Sequence, residues 1–410
     1  MNNFWNTASL SEMHIELSSY CNAACPQCPR YFVGSEIVRP DLELSQISID
    51  QFKEWFKPDI IKQLRKILFC GTIGDPMMAK DVNEIIDYIF ENNPNVRVKL
   101  HTNGGIRSES NWAHLGSISK QFNHHLAIIF SIDGLEDTNH LYRRNVNWNI
   151  LMRNVKAYIS AGGSASWDYL IFKHNEHQLE EAENFSRELG FKEFCKKRAL
   201  GFESYDEIGS LKRMAVLNKE GLLDYWIDPP SDLENRNNST SQRLIEPEII
   251  TGVASLAAPD TYKEVITDPH NEVIKFYDGK NFKKKPIDFT DFNNKNISCK
   301  SKTWNGLKEI FVSSTGHVYP CCYVGTMIDV TFGSIDNIQL HKKFKEYGKD
   351  YFDLNKYSLE EIFEGNHLNL LYADSWDKKD DDKLMYCANT CGENNQLDRI
   401  RIGEGRDAGR

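Results

Sequence analysis

The first two hundred residues alternate short β-rich runs with amphipathic helical windows, and this alternation constrains the fold more than any other feature. Repeated βα units of this kind form a parallel sheet whose strands are joined by helices. Six strands are predicted, at Met13–Ser18, Lys66–Cys70, Val96–His101, Leu126–Ile132, Trp167–Phe172 and Lys192–Lys196. Six parallel strands fit either an open doubly wound sheet or a partial (βα)6 barrel, and the pattern alone does not choose between them.

Local signals mark the helices between these strands. Ser48 and Gln51 have the spacing of a capping box, and Asp81 with Glu84 has the same spacing before the next apolar stripe. Gly190 stands where a glycine ends a helix. These signals predict that a helix precedes the second strand and that another follows it.

Beyond the βα repeat, the periodicity fades between about Gly201 and Asn296. We therefore predict a barrel at 1–200, a linker or insertion at 201–296 and a small α+β domain at 297–410. In the last region, Lys308–Val312 and His317–Tyr319 flank a Ser-Ser-Thr-Gly turn, which predicts a hairpin.

Charge and hydropathy exclude several classes of protein. The chain of 410 residues carries 49 Lys and Arg against 59 Asp and Glu, and a net charge of −10 argues against nucleic acid as a partner. No apolar run approaches the roughly 18 to 20 residues that span a bilayer, so no membrane association is predicted. Because the first residues also lack the pattern of a secretory signal, we predict a cytoplasmic protein. Ten cysteines in a reducing compartment favour metal ligands or redox chemistry over disulfides.

Three of these cysteines follow the first predicted strand. Cys21, Cys25 and Cys28 have the spacing C-x3-C-x2-C. Three thiolates on one loop hold three irons of a [4Fe-4S] cluster and leave the fourth iron open to an exogenous ligand. The alternatives are a zinc knob, for which the sequence offers poor fourth ligands nearby, and chance.

This loop and the segments after the next strands resemble the radical S-adenosylmethionine (SAM) superfamily over about Met13 to Arg198. The resemblance implies a partial (βα)6 barrel, one cluster on the cysteine loop, and SAM bound at the strand ends. Gly74 and Asp75 lie in a segment similar to the family's Gly-Gly-Glu-Pro, which meets the amino group of SAM. Taken singly, each such segment also reads as an ordinary turn. The cofactor-binding residues that the resemblance implies are Gly74, Asp75, Asn103, Ser131, Asp133 and, from the pair Arg143 and Arg144, Arg144.

The resemblance also implies an activity. In this family a reduced cluster donates one electron to SAM, and the resulting 5′-deoxyadenosyl radical abstracts hydrogen from the substrate. The electron would come from a donor such as flavodoxin or ferredoxin. The chain is therefore expected to be a radical SAM oxidoreductase.

The last third of the chain contains a second group of cysteines. Gly316 and Cys321 have the spacing Gly-x4-Cys, and Cys387 with Cys391 gives C-x3-C. With Cys299, the pattern resembles the auxiliary-cluster domains called SPASM and, because it has too few cysteines for the full form, the shorter twitch form. The ligands implied for a second [4Fe-4S] cluster are Cys299, Cys321, Cys387 and Cys391, whereas the neighbouring Cys322 is expected to pack. Four cysteines also suit a structural zinc ion.

Lys173 and His174 follow the fifth predicted strand, on the side where parallel folds build their sites. They are candidate catalytic residues, as a general base or as hydrogen-bonding groups, although a solvated loop explains them equally well.

Three functions remain open. A closed auxiliary cluster favours electron transfer, which suits dehydrogenation of a small polar molecule. The alternative substrate is a ribosomal peptide that is crosslinked or epimerised, and only about a dozen residues precede the first strand where such enzymes often carry a leader-binding domain. A different class would be a non-catalytic protein that binds a metal or a cluster.

Overall fold

The computed structural model describes residues 5–31, 34–40, 42–199, 202, 213–232, 235, 266–267, 273–274, 293–299, 301, 308–329 and 335–392. Most of the predicted linker at 201–296, and the end of the chain after residue 392, lie outside the described residues.

The six predicted strands form one parallel sheet in sequential order, which confirms the βα prediction. They are β1 (Leu10–Ile15), β2 (Lys66–Cys70), β3 (Arg97–Thr102), β4 (Leu126–Ser131), β5 (Ser164–Ile171) and β6 (Glu193–Arg198). The helices among them are α1 (Ile49–Trp55), α2 (Pro58–Gln63), α3 (Val82–Asn92), α4 (Glu109–Gln121), α5 (Asn139–Tyr142), α6 (Trp148–Ser160) and α7 (Leu179–Leu189). Sequential parallel order is that of a partial (βα)6 barrel and not of a doubly wound sheet, whose order reverses at a switch point.

The two faces of this sheet differ in chemistry. Side chains such as Phe69, Leu100 and Phe130 are fully buried in the apolar core. Alternate positions on β3 and β5 carry polar groups, among them His101 and Asp168. Since side chains alternate between the faces of a strand, the second set shares the face opposite the core residues. We call this polar surface the concave face.

The predictions made from sequence signals at the helix ends were only partly correct. Ser48 forms the predicted capping box with Gln51, and Gly190 ends α7 with a φ of 93°. The prediction for Asp81 was wrong, because its side chain makes no capping hydrogen bond to α3. Its carboxylate instead accepts a hydrogen bond from the backbone N–H of Ile49, at 2.9 Å, and so links the starts of α3 and α1.

Two further strand pairs come from the predicted linker. Strands β7 (Met214–Leu217) and β8 (Leu223–Ile227) form an antiparallel hairpin, and β9 (Ile266–Thr267) pairs with β10 (Val273–Ile274). The first of these hairpins contacts the chain between β1 and α1, since Leu217 N–H donates to the carbonyl of Gly34 at 2.7 Å.

The predicted carboxy-terminal hairpin is confirmed and extends the main sheet. Strands β11 (Lys308–Val312) and β12 (Val318–Tyr319) pair antiparallel, and β11 lies parallel to β1 on the side opposite β2. The part that follows the hairpin is helical: α8 (Cys322–Asp329), α9 (Ile335–Tyr347), α10 (Leu359–Glu364), α11 (His367–Leu371) and α12 (Met385–Cys391). Trp5, from the start of the chain, packs edge-on against Tyr372 and Trp376 of this helical part.

No helix in the described part of the chain is long and apolar enough to cross a membrane.

Candidate functional site

The three amino-terminal cysteines lie on the loop after β1, which we call the cysteine loop (residues 21–28). A turn closes it, because Cys28 N–H donates to the carbonyl of Cys25 at 3.0 Å. Burial raises the pKa of the Cys28 thiol to about 12, and the nearby Cys25 raises it further. The pKa of Cys21 is raised by burial and then by Asp75, Cys25 and Cys28. The three thiols therefore lie close enough to influence one another's ionisation.

Arg143 is the cation beside this loop. Its Nη1 lies 3.5 Å from Cys25 Sγ, and its Nε pairs with the fully buried carboxylate of Asp133 at 2.6 Å. Asp133 also accepts a hydrogen bond from Leu170 N–H at 2.6 Å, so its two oxygens join the ends of β4 and β5. Asp133 thus holds Arg143 against the cysteine loop.

Asp75 and Asn103 connect the loops after β2 and β3. The Asp75 carboxylate accepts hydrogen bonds from Asn103 N–H and Nδ2–H, each at 2.8 Å, and from the Thr102 hydroxyl. Burial raises the pKa of Asp75. Asn103 Nδ2 also lies 3.8 Å from Cys21 Sγ. The two predicted cofactor-binding residues therefore contact each other at the edge of the cysteine loop.

Gly74 precedes Asp75 at a point where only glycine fits. A Cβ on Gly74 would lie 1.8 Å from the carbonyl oxygen of Ser18, far inside the contact distance. The segment after β2 therefore packs backbone to backbone against the chain that enters the cysteine loop. Glu16, which the sequence analysis did not single out, also contacts this segment.

The concave face carries a second polar group, which lies outside the predicted site residues. His101 Nδ1 lies 3.8 Å from the Asp168 carboxylate, and Lys197 forms an ion pair with the same carboxylate. Burial lowers the pKa of His101 to about 3, followed by the effect of Lys197. Its Nε2 is buried without a hydrogen-bond partner among the described residues. These residues form a polar group within the barrel, and the alternation of buried and polar positions in β3 and β5 was the signal that could have found it.

Other predicted residues lie farther from the cysteines. Arg144 pairs with Glu36 at 2.8 Å and donates to the carbonyl of Leu217 at 2.7 Å, so it fastens the β7–β8 hairpin. Ser131 is half-buried at the end of β4. The carbonyl of Arg144 accepts a hydrogen bond from Ala24 N–H of the cysteine loop at 3.0 Å, so Arg144 contacts the loop through its backbone while its guanidinium points to Glu36.

The two candidate catalytic residues lie on the loop after β5. Lys173 is largely exposed and its Nζ lies 4.0 Å from Asp228. His174 stacks on Phe172, and burial lowers its pKa to about 4. Its Nε2 is buried without a hydrogen-bond partner among the described residues. Of the two, His174 is therefore neutral and available as a hydrogen-bond acceptor.

The four carboxy-terminal cysteines line one cavity, which we call the carboxy-terminal cavity. Its lining has no charged residue and consists of Ile297, Cys299, Pro320, Cys321, Tyr323, Val324, Tyr372, Trp376, Tyr386, Cys387, Thr390 and Cys391. Cys322 does not line it, and its pKa is raised by burial and then by Glu309 and Cys70. Cys321 therefore lines the cavity and Cys322 does not, and the choice of Cys321 as a cluster ligand stays a prediction.

Within the described residues, no three His, Cys, Asp or Glu side chains are already gathered as they would be around a bound metal ion. The donor chemistry of both cysteine sites nevertheless fits a cluster. Three mutually interacting thiols lie on the cysteine loop, and four thiols share one apolar cavity.

No protein-family model matches this chain, and no curated protein matches it. It is similar to solved structures at low identity. Histidine-tagged anSMEcpe with bound AdoMet is 18% identical, over 49% of this chain and 56% of that one, with a TM-score of 0.38. Streptococcus suis SuiB bound to S-adenosylmethionine is 16% identical, over 77% and 61%, with a TM-score of 0.42. BtrN in complex with AdoMet and 2-DOIA is 21% identical, over 30% and 45%, with a TM-score of 0.24.

This chain spans less than two thirds of the length of each of these three proteins. The strand order and the position of the cysteine loop are observed in this chain's own structure and do not depend on the similarity to those proteins. Six sequential parallel strands, with the three-cysteine loop directly after β1, give the chain the fold of a partial (βα)6 barrel.

Proposed function

We propose that this protein is a radical SAM enzyme that oxidises a small polar substrate. A [4Fe-4S] cluster would be held by Cys21, Cys25 and Cys28. The observation that carries the proposal is the meeting of this loop with Asp75, Asn103 and Arg143 at the carboxyl ends of neighbouring parallel strands, where such folds build their sites.

When bound, the reduced cluster supplies one electron that breaks a carbon–sulfur bond of SAM and yields a 5′-deoxyadenosyl radical. The chain's own residues would bind and orient SAM beside the cysteine loop. Asp75 and Asn103 fix the loops after β2 and β3 beside Cys21, and Arg143 offers a positive charge next to Cys25. Asp133 is fully buried and keeps that guanidinium in place.

The concave face supports a small polar substrate. His101, Asp168 and Lys197 would offer an acceptor, a carboxylate and an ammonium group on this face. Because burial lowers the pKa of His101 to about 3, its imidazole is neutral and accepts a hydrogen bond from a hydroxyl group. His174 would serve in the same way from the loop after β5.

The carboxy-terminal cavity supports the second half of an oxidation. Cys299, Cys321, Cys387 and Cys391 would close a second [4Fe-4S] cluster with no open iron, so this site suits the acceptance of the substrate's second electron. A flavodoxin- or ferredoxin-type protein would deliver the first electron.

The test is anaerobic reconstitution followed by incubation with dithionite and SAM. We expect 5′-deoxyadenosine and methionine in equal amounts, formed slowly without substrate. A fully loaded protein that makes no 5′-deoxyadenosine with any reductant would refute the proposal and favour a non-catalytic cluster-binding protein. Transfer of deuterium to 5′-deoxyadenosine from a labelled peptide, and not from labelled polyols, would favour a peptide maturase.

A further inference from the structure

Glu16 directly follows β1, and only 1% of its surface is exposed. Its carboxylate faces the segment after β2. Oε1 accepts hydrogen bonds from the backbone N–H groups of Ile73 and Gly74, both at 2.8 Å. Oε2 accepts one from the Thr72 hydroxyl at 3.1 Å. One buried side chain therefore holds three consecutive residues.

No Lys or Arg forms an ion pair with Glu16 in the part of the chain that the structure describes. An unpaired carboxylate inside a protein is costly, and burial raises the pKa of Glu16 to about 7. A carboxylate that acted only through its negative charge would be unfavourable at this buried position. The hydrogen bonds to Thr72, Ile73 and Gly74 are the compensation that the structure offers.

The segment that Glu16 holds has little freedom of its own. A Cβ on Gly71 would lie 1.7 Å from the carbonyl oxygen of Gly74, so the segment folds back tightly on itself. It also packs against Ser18, and Asp75 N–H donates to the carbonyl of Tyr20 at 2.9 Å. The shape of this segment is thus set beside Cys21, and Glu16 supplies the acceptors that its interior N–H groups need.

We propose that Glu16 is a positioning residue, which shapes the Thr72–Gly74 segment for the amino group of SAM by accepting its backbone hydrogen bonds and not by its charge. This inference rests on the proposed function, because it assumes that the segment contacts SAM. The hydrogen bonds that the structure gives the Glu16 side chain all go to Thr72, Ile73 and Gly74.

Two substitutions separate the acceptor from the charge. Glu16→Gln keeps an oxygen at the position of Oε1 and so keeps both backbone bonds, while its amide nitrogen can donate to the Thr72 hydroxyl. Glu16→Leu has similar volume and removes every acceptor. Glu12→Leu is the matched control, because Glu12 lies earlier on β1, pairs with Lys66 at 3.6 Å and makes no bond to the segment.

The experiment measures SAM affinity by titration of the anaerobically reconstituted full chain, together with iron content and melting temperature. We expect Glu16→Leu to weaken SAM binding by about tenfold or more, because the backbone N–H groups of Ile73 and Gly74 lose their hydrogen-bond acceptor. Glu16→Gln should stay within about threefold of the unmutated protein and Glu12→Leu should match it. At saturating SAM, Glu16→Leu should form 5′-deoxyadenosine at an unchanged rate, which a general structural defect would not permit.

Each outcome decides. Unchanged SAM affinity in Glu16→Leu, or equal weakening in Glu16→Gln and Glu16→Leu, would overturn the inference while SAM binding by the unmutated protein keeps the proposed function. No SAM binding by the loaded unmutated protein would overturn the proposed function itself. If Glu16→Leu loses its iron, Glu16→Asp replaces it: this shorter acid should retain iron with intermediate SAM affinity, and full affinity would refute the role.

Discussion

The two cysteine sites of this molecule differ in what surrounds their thiols. The cysteine loop meets buried charged and polar groups, with Arg143 at 3.5 Å from Cys25 and Asn103 at 3.8 Å from Cys21. The carboxy-terminal cavity has four thiols among the rings of Tyr323, Tyr372, Trp376 and Tyr386 and has no charged lining residue.

This difference separates two kinds of chemistry. A site with three thiols and oriented polar groups suits a ligand that carries charge, as SAM does. A site with four thiols and apolar walls excludes water and leaves no free position, which suits electron transfer. We therefore propose that the chain separates bond breaking from electron storage, and the following predictions test that separation.

The largest effect is expected at the cysteine loop. Replacing Cys21, Cys25 and Cys28 together with Ala should abolish 5′-deoxyadenosine formation and lower the iron content from about eight to about four per chain. Iron analysis and product chromatography measure both quantities. Cys195→Ala is the control, since this cysteine lies on β6, and it should keep both. Residual 5′-deoxyadenosine in the triple variant would show that the loop is not the site of SAM cleavage.

The carboxy-terminal cavity should respond in the opposite way. Cys387→Ala should lose about four iron per chain and keep 5′-deoxyadenosine formation, because the SAM site is untouched. Cys322→Ala is the matched control, since Cys322 adjoins Cys321 without lining the cavity, and it should keep all of the iron. About four iron with one zinc per chain in the unmutated protein would instead make the cavity a structural zinc site.

A smaller but distinct effect separates the two neighbouring arginines. Arg143→Met leaves the fully buried Asp133 carboxylate without its partner and should lower the free energy of unfolding by about 3–5 kcal/mol. Arg144→Met removes the partner of Glu36, whose side chain is 10% exposed, and of the partly exposed Asp224, so a smaller loss of about 1–3 kcal/mol is expected. Chemical denaturation measures both, and equal losses would contradict the assigned roles.

The smallest effect is a dependence of stability on pH. Burial lowers the pKa of His14 to about 4, and its Nε2–H donates to the carbonyl of Cys70 at 2.7 Å. Between pH 6.5 and 4 the unfolded chain binds a proton at His14 and the folded protein does not, so the free energy of unfolding falls as the pH falls. At pH 5 this amounts to about 2 kcal/mol.

His14→Gln should therefore flatten the loss of stability between about pH 7 and pH 5, as followed by denaturant unfolding. His177→Gln, at an exposed histidine, should leave the dependence unchanged. An unaltered slope in His14→Gln would place the acid sensitivity elsewhere in the molecule.

Features encoded by short spacing could be predicted from the sequence. The six strands and the carboxy-terminal hairpin both rest on patterns within a few residues. Such patterns depend on backbone geometry that is the same in every protein. The strands could therefore be predicted one by one, but the choice between an open sheet and a partial barrel, and the pairing of β11 with β1, could not.

Features that depend on pairing between strands could not be predicted from the sequence. Glu16 and Thr72 lie 56 positions apart, and the contact of His101 with Asp168 requires β3 and β5 to curve around a shared face. Arg143 and Arg144 are adjacent, and only the loop conformation decides which one turns toward Cys25. Register and loop shape are tertiary properties, and no local signal carries them.

The pairing of β11 with β1 has a consequence for how the chain is made. Met13 pairs with Ile310, so the strand that leads into the cysteine loop stays an unprotected edge while about 300 residues are synthesised, which at roughly 5–20 residues per second takes some tens of seconds. An open edge strand invites pairing with other chains. Slower translation, or late pairing of the β11–β12 hairpin with β1, should therefore lower the yield of soluble protein. A chaperone that binds nascent chains should restore that yield.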